Sequence, residues 1–227
     1  MNPKNAYDTV IMTAKDPLSV LGILKRRRKL IEKATSFDEI FVRQEYLWLL
    51  QNIRPKTTVL DIGAKNGDTA IYFAMLPNVT RVISYEPALL NQHEFMENVT
   101  MSPLAPKIEL HKEAIAEKEG IKKIDRSAYG CAYSYTQDSK STGEYVKAIT
   151  LDRALKGLKN VAIKCDCEGA ELHIFKNANL SQVYAMEVEC HGNIREMLKI
   201  LTGRGFKLRT KRNPSPGSGM ILAKRSR

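Results

Sequence analysis

From residue 57 onward, short apolar runs rich in β-branched residues alternate with stretches of helical period, and this alternation restricts the fold more than any other feature. The strand-like runs are Thr58-Val59-Leu60-Asp61-Ile62-Gly63, Arg81-Val82-Ile83-Ser84-Tyr85-Glu86-Pro87, residues 107–111, Val161-Ala162-Ile163-Lys164-Cys165 and residues 183–188. Helical stretches fall at 68–76, 88–99, 151–158, 170–176 and 193–203. A helix between successive strands returns the chain to the same end of a sheet, so the strands run parallel and helices cover both faces. Phe206-Lys207-Leu208 and Met220-Ile221-Leu222-Ala223 follow, joined through Pro214-Ser215-Pro216-Gly217, and are expected to pair as an antiparallel hairpin. The expected fold is α/β: a doubly wound, mostly parallel seven-stranded sheet with an antiparallel C-terminal hairpin as its edge. Residues 120–146 read as irregular, with a loop or hairpin at Tyr129, Gly130, Tyr133, Ser134 and Tyr135.

The first 54 residues read differently, as a helical extension ahead of a domain spanning 55–227. Asp16-Pro17 starts one helix, with Leu18, Leu21, Leu24, Leu30 and Ile31 on its apolar side and the run Lys25-Arg26-Arg27-Arg28-Lys29 in its middle. A second begins near Ser36 with Glu39 completing a capping box, carries Phe41, Glu45, Trp48 and Leu49, and ends before Pro55. The chain holds 36 Lys and Arg against 25 Asp and Glu, a net charge of +11. That excess favours RNA, DNA, anionic lipid or an acidic small molecule over cationic partners, and equally describes a plain basic surface. The basic segment 17–33 is of a kind that lies on anionic membranes. No run is apolar enough to span a bilayer, and the start lacks the layout of a secretory signal. Four cysteines without such a signal point to a cytoplasmic setting.

In parallel α/β sheets, ligands bind beyond the carboxyl ends of the strands. At the first such end, Asp61-Ile62-Gly63-Ala64-Lys65-Asn66-Gly67-Asp68 follows a strand and opens a helix. Gly63 and Gly67 lack the third glycine of the dinucleotide fingerprint, and Asp61 and Asp68 would repel a pyrophosphate. A ligand carrying an ammonium and a sulfonium would be attracted instead, and S-adenosylmethionine is such a ligand. Glu86, 25 positions after Asp61 at the end of the next strand, is placed to accept both ribose hydroxyls of an adenosine cofactor. Either carboxylate alone is explained by helix capping; the two together favour the ligand. After the third strand, Glu113 is a candidate acceptor for an adenine amino group and Ala114 leaves room for the ring.

The second informative end is Ile163-Lys164-Cys165-Asp166-Cys167-Glu168-Gly169-Ala170-Glu171. Asp166 and Glu168 are two apart on an extended chain and share a side. Methyl transfer to a hydroxyl needs a base, which either carboxylate supplies; their alternative role is to cap the following helix. One carboxylate pair is thin ground for a metal, and none is expected. His191, just past the fifth strand with Glu187 and Glu189 before it, is a candidate base or acceptor contact. His93, His111 and His173 have no comparable context. Tyr129, Tyr133 and Tyr135 line an acceptor pocket or merely form a surface hairpin.

Together these motifs resemble the FkbM-like family of S-adenosylmethionine-dependent methyltransferases. They are Val59-Leu60-Asp61-Ile62-Gly63-Ala64 with Gly67-Asp68-Thr69, Tyr85-Glu86-Pro87, Thr150-Leu151-Asp152 and, most specific, residues 163–171, where the family reads Lys-x-Asp-x-Glu-Gly-x-Glu. The resemblance implies a class I methyltransferase fold and O-methylation of sugars or small hydroxylated metabolites. It implies cofactor roles for Asp61, Gly63, Gly67 and Glu86, with Ala64 in the same turn, and puts Asp166 and Glu168 at the active site. Lys65 stands where the family often has Asn. The helical first fifty residues lie outside the resemblance, and a covering for the acceptor site is one use for them. The rival readings are an RNA ribose methyltransferase, a non-catalytic adenosyl-ligand or membrane-surface module, and an NAD enzyme, the last disfavoured by Asp61.

Overall fold

The computed structural model describes residues 38–42, 45–126, 133–135, 143–212 and 216–225. The basic run, the helix expected around it, Tyr129 and the Pro-rich turn at 213–215 lie outside the described residues. In chain order the elements are α1 (Leu47–Gln51), β1 (Thr57–Ile62), α2 (Asp68–Ala74), β2 (Val79–Tyr85), α3 (Leu89–Thr100), β3 (Ile108–His111), β4 (Ala114–Ala116), β5 (Gly120–Arg126), β6 (Tyr133–Tyr135), β7 (Glu144–Thr150), α4 (Leu151–Leu155), β8 (Val161–Cys165), α5 (Glu171–Lys176), β9 (Val183–Cys190), α6 (Ile194–Gly203), β10 (Phe206–Arg212) and β11 (Gly219–Arg225).

The main sheet has seven strands in the order β10-β11-β9-β8-β1-β2-β3. The neighbours from β9 to β3 pair in parallel, while β11 runs antiparallel to both β9 and β10. The chain order reverses between β1 and β8, which is the switch point where such sheets bind ligands. The hairpin is present, but its second strand is inserted rather than lying at the edge. Met220 to Ala223 are buried, whereas Lys207, Arg209, Thr210 and Lys211 of β10 face solvent. The apolar strand takes the interior place and the charged one blunts the edge.

Alternate residues of the central strands enter two separate cores, as the two-residue strand period requires. On one side Val59, Val82, Ala162 and Ala185 pack with Ile40, Phe41, Tyr46, Leu49 and Ala70 to Ala74 of α2. On the other, Leu60, Ile83, Ile163 and Met186 pack with Leu151, Leu155, Phe175, Met197 and Leu201. α2 is buried all round: Phe41 packs edge-on to Tyr72 at 5.4 Å between ring centres, and the Tyr46 ring lies 6.4 Å from that of Phe73. α6 is half exposed and starts on Asn193, whose side chain accepts from the Glu196 amide at 3.2 Å.

Two expectations are corrected. The stretch 120–146 is not merely irregular: β5, β6 and β7 join β4 in a second sheet of order β4-β7-β5-β6. It is held by Ala88, Ala114, Ala116, Ile124, Val146 and Ala148, a small core made mostly of alanines. The single helix expected from Ser36 to Pro55 is instead a π-helical turn at Asp38–Val42 and the separate five-residue α1. Tyr46 leaves the helical region at φ −94°, ψ 20°, and it and Leu49 are both buried. The Leu49 amide, an orphan donor in the first turn of α1, is accepted by Glu187 of β9 at 3.0 Å. Among the described residues no helix is long and apolar enough to cross a membrane.

Candidate functional site

Parallel register carries three charged residues into one row across the sheet. Asp61 of β1 lies opposite Lys164 of β8, which lies opposite Glu187 of β9. Asp61 is fully buried. Its Oδ2 accepts from the Thr69 hydroxyl at 2.6 Å, and its Oδ1 lies 3.3 Å from Lys164 Nζ. Lys164 also donates to the Gly63 carbonyl at 2.6 Å and lies 5.7 Å from the centre of the Tyr46 ring. Burial works against its charge, but Asp61 and Asp166 outweigh it and hold the ammonium above the usual lysine range. Read from sequence, Asp61 stands open at the mouth of the turn; in the structure an internal ammonium already serves as its counter-charge.

The glycine turn is built by the protein's own contacts. Gly63 has φ +75°, and a Cβ there would stand 1.8 Å from the Asp166 carbonyl oxygen, so no side chain fits. The Gly63 and Ala64 amides both donate to the Tyr85 carbonyl, at 3.0 and 3.2 Å, and Ala64 is buried. Gly67, at φ +84°, begins α2 with the Phe95 ring 3.0 Å from where a Cβ would be. Lys65 between them takes φ +47°, a region Asn enters more easily than Lys. Its amide donates to Glu86 Oε2 at 2.9 Å; Glu86 Oε1 accepts from the Ala88 amide at 2.9 Å and from Asn91 Nδ2 at 3.1 Å. Burial pushes Glu86 up against the pull of these donors. Its Oε2 keeps one acceptor position beyond the Lys65 amide, which suits a ribose hydroxyl. Glu113 lies apart, paired with Lys147 Nζ at 3.2 Å, and Ala114 is buried in the second sheet's core.

The third group forms where β8 and β9 end. Cys165 is opposite Val188, so the next residues along, Asp166 and Glu189, are neighbours in register. The Asp166 amide donates to the Ile62 carbonyl at 3.0 Å, fixing the chain beside Gly63. Asp166 Oδ1 is shut off from solvent and has no hydrogen-bond partner among the described residues. Beyond it the chain turns sharply through Glu168 at φ +55° and Gly169 at φ +107°. The turn brings fully buried Glu171 under the loop, where it accepts from the Cys167 and Gly169 amides at 3.2 and 3.1 Å. Glu171 also lies 3.0 Å from His191 Nδ1.

His191 Nε2 faces the other way, 3.6 Å from Glu168 Oε2 and 3.8 Å from Glu189 Oε1. The bond to Glu171 raises His191 to about 9, despite opposing burial, with further help from Glu171, Asp166 and Glu168. Burial pushes Glu168 up, and the Asp166 charge adds to it. Burial works against Glu171, but His191 and the Gly169 amide hold it below the usual carboxylate range. Glu45, from the segment before α1, is raised by burial and next by Asp166, which brings it to the same charged group.

The structure therefore gathers Asp166, Glu168 and His191 at one place, beside Gly63. Lys164 and Glu171 are the site residues that sequence reasoning passed over, although both belong to its most specific motif. Glu189 was noted only as a neighbour of His191, and strand register is what makes it a member.

A parallel sheet with this strand order and an inserted antiparallel strand, with its acidic group at the switch point, defines a class I methyltransferase domain, a class dependent on S-adenosylmethionine. The profile of the FkbM methyltransferase domain matches residues 61–208, and the chain belongs to that family. No curated protein matches the sequence. Among solved structures, FkbM from Methylobacillus flagellatus KT is similar at TM-score 0.53 and 15% identity, over 96% of this chain and 58% of that one. M. capricolum TrmK, solved with S-adenosylhomocysteine, is similar at 0.50 and 10%, over 78% of this chain and 65% of that one. A precorrin-6y C5,15-methyltransferase from Geobacter metallireducens GS-15 is similar at 0.50 and 11%, over 81% and 89%. The chain thus spans less than two thirds of the first two. These likenesses concern the fold.

Proposed function

We propose that the protein transfers the methyl group of S-adenosylmethionine to a hydroxyl oxygen of a small molecule or sugar. The observation that carries this reading is the group at the ends of β8 and β9, where Asp166, Glu168 and Glu189 converge on one imidazole beside the glycine turn. The donor supplies a methyl carbon made electrophilic by its sulfonium. A hydroxyl must shed its proton as it attacks that carbon in line with the sulfur, and carboxylates at the rim accept it. Glu168, raised by burial and partly exposed, suits that task better than Glu171, whose oxygens are occupied. The spare acceptor position on Glu86 Oε2 suits the donor's ribose.

Labelled S-adenosylmethionine and a panel of sugars, glycolipids, small phenols and RNA test the reading. Label is expected in a hydroxylated small molecule, with Glu168→Gln lowering turnover more than cofactor affinity. Label confined to RNA would replace this reading with ribose methylation. Calorimetry separates the cofactor question: S-adenosylhomocysteine is expected to bind and NAD not, with Glu86→Ala weakening the former.

A further inference from the structure

The carboxylates near His191 are more than a base requires, and their arrangement is that of a ligand set. One donor atom from each of Asp166, Glu189 and His191 lies within 4.8 Å of the other two. Donor atoms on one octahedral ion stand about 3.0 Å apart when adjacent and about 4.2 Å when opposite, for bonds near 2.1 Å. Small side-chain rotations bring this set to such spacing. Two observations outside that triangle point the same way. Fully buried Glu171 takes His191 Nδ1 at 3.0 Å and orients the ring, the carboxylate–histidine arrangement that accompanies metal ligation through the other nitrogen. Asp166 Oδ1 is buried without a donor to it among the described residues, a costly state that a cation relieves.

We infer that Asp166, Glu189 and His191 form a binding site for a first-row divalent cation at the carboxyl ends of β8 and β9. Imidazole nitrogen with carboxylate oxygens suits Mn²⁺, Fe²⁺ or Zn²⁺ and suits Ca²⁺ poorly. Glu168 Oε2, 3.6 Å from His191 Nε2, stands beside the site on its solvent side. The catalytic meaning rests on the proposed methyl transfer: an acceptor hydroxyl bound to the cation loses its proton more readily, with Glu168 nearby to receive it.

The test uses the full chain, stripped with chelator and titrated with Mn²⁺, with the free ion followed by electron paramagnetic resonance and the heat by calorimetry. One equivalent is expected to bind. Glu189→Gln and His191→Ala are each expected to weaken it at least tenfold, and Glu109→Gln, on β3, to leave it unchanged. Should His191→Ala not fold by circular dichroism, the isosteric Glu189→Gln carries the test. Absence of a saturable equivalent, or equal affinity in Glu189→Gln, overturns the site. Saturating S-adenosylhomocysteine is expected to leave Mn²⁺ bound; its displacement means that the carboxylates serve the donor's ammonium, and overturns the site too. Binding of Mn²⁺ is read without turnover, so a protein that binds it and methylates no hydroxyl defeats the proposed function and not the cation site.

Discussion

The two halves of the switch point treat their acids in opposite ways. At the ends of β1 and β2, Asp61 is matched by Lys164 and Thr69, and Glu86 by two amides and the Asn91 side chain. At the ends of β8 and β9, Asp166, Glu168 and Glu189 gather about one imidazole, with Glu171 engaged beneath. The first half is a finished scaffold: its charges hold the turn in shape. The second gathers its carboxylates around one imidazole at a partly exposed rim. A buried charge is retained only when paired, so the half that gathers more carboxylates is where a ligand's positive charge belongs. The motif residues of the first half thus act largely through shape, and those of the second through charge.

The largest expected effect tests shape. Gly63→Ala drives a methyl into the Asp166 backbone at a φ that disfavours side chains. The loss should exceed about 4 kcal/mol, which lowers Tm by about 10 °C or more. A Tm within about 2 °C of the parent would show that the two halves can separate freely. Next comes Lys164→Met, which leaves Asp61 buried without its ammonium and should cost about 3–5 kcal/mol by chemical denaturation. Adding Asp61→Asn should restore part of that loss. If Lys164→Met alone is mild, Asp61 is not the closed pair described and regains a claim to the ligand.

How much of this could be read beforehand depended on whether the signal was local. The runs of β1 and β8 are apolar on both faces, and with their following helices they specify the parallel sheet. The second sheet escaped because its core is largely alanine and because Ile121 and Tyr145, its most visible strand formers, are exposed. His191 was legible as the residue past a strand. The burial of Asp61 was not, because its partner is distant in sequence and only strand register brings the two together. Likewise the grip of Glu171 on His191 requires the turn at Glu168 and Gly169, which composition does not reveal.

A smaller effect concerns Glu187, which continues the Asp61–Lys164 row but lies under α1 and Tyr72. Burial raises it to about 7, against the pull of the Leu49 amide and Lys211, and with a push from Glu45. The folded protein therefore holds a proton that the unfolded chain releases between about pH 4.5 and 7. Stability should fall as pH rises through that window, by up to about 3 kcal/mol, and level off above it. Glu187→Gln keeps an acceptor for Leu49 and removes the charge. It should match the parent at pH 5 and exceed it at pH 8 in denaturant midpoint. An equal gap at both pH values would mean that Glu187 is hydrated, and that the scaffold half is more open than described.

The smallest effect lies at Lys65, where the two halves meet. Its backbone belongs to the glycine turn, yet its ammonium acts on Glu168 across the cleft, a small pull against the rise that burial and Asp166 give that carboxyl. Asn tolerates the left-handed conformation better, so Lys65→Asn should relieve local strain while preserving the amide bond to Glu86. The expected gain is below about 1 kcal/mol, a rise in Tm of about 2–4 °C at most. The same change withdraws a positive charge from the acidic rim, so Mn²⁺ should bind slightly more tightly. A fall in Tm would mean that attraction to Glu168 outweighs the strain, making the halves electrostatically joined rather than divided. A rise in Tm without tighter Mn²⁺ binding would confine Lys65 to the turn.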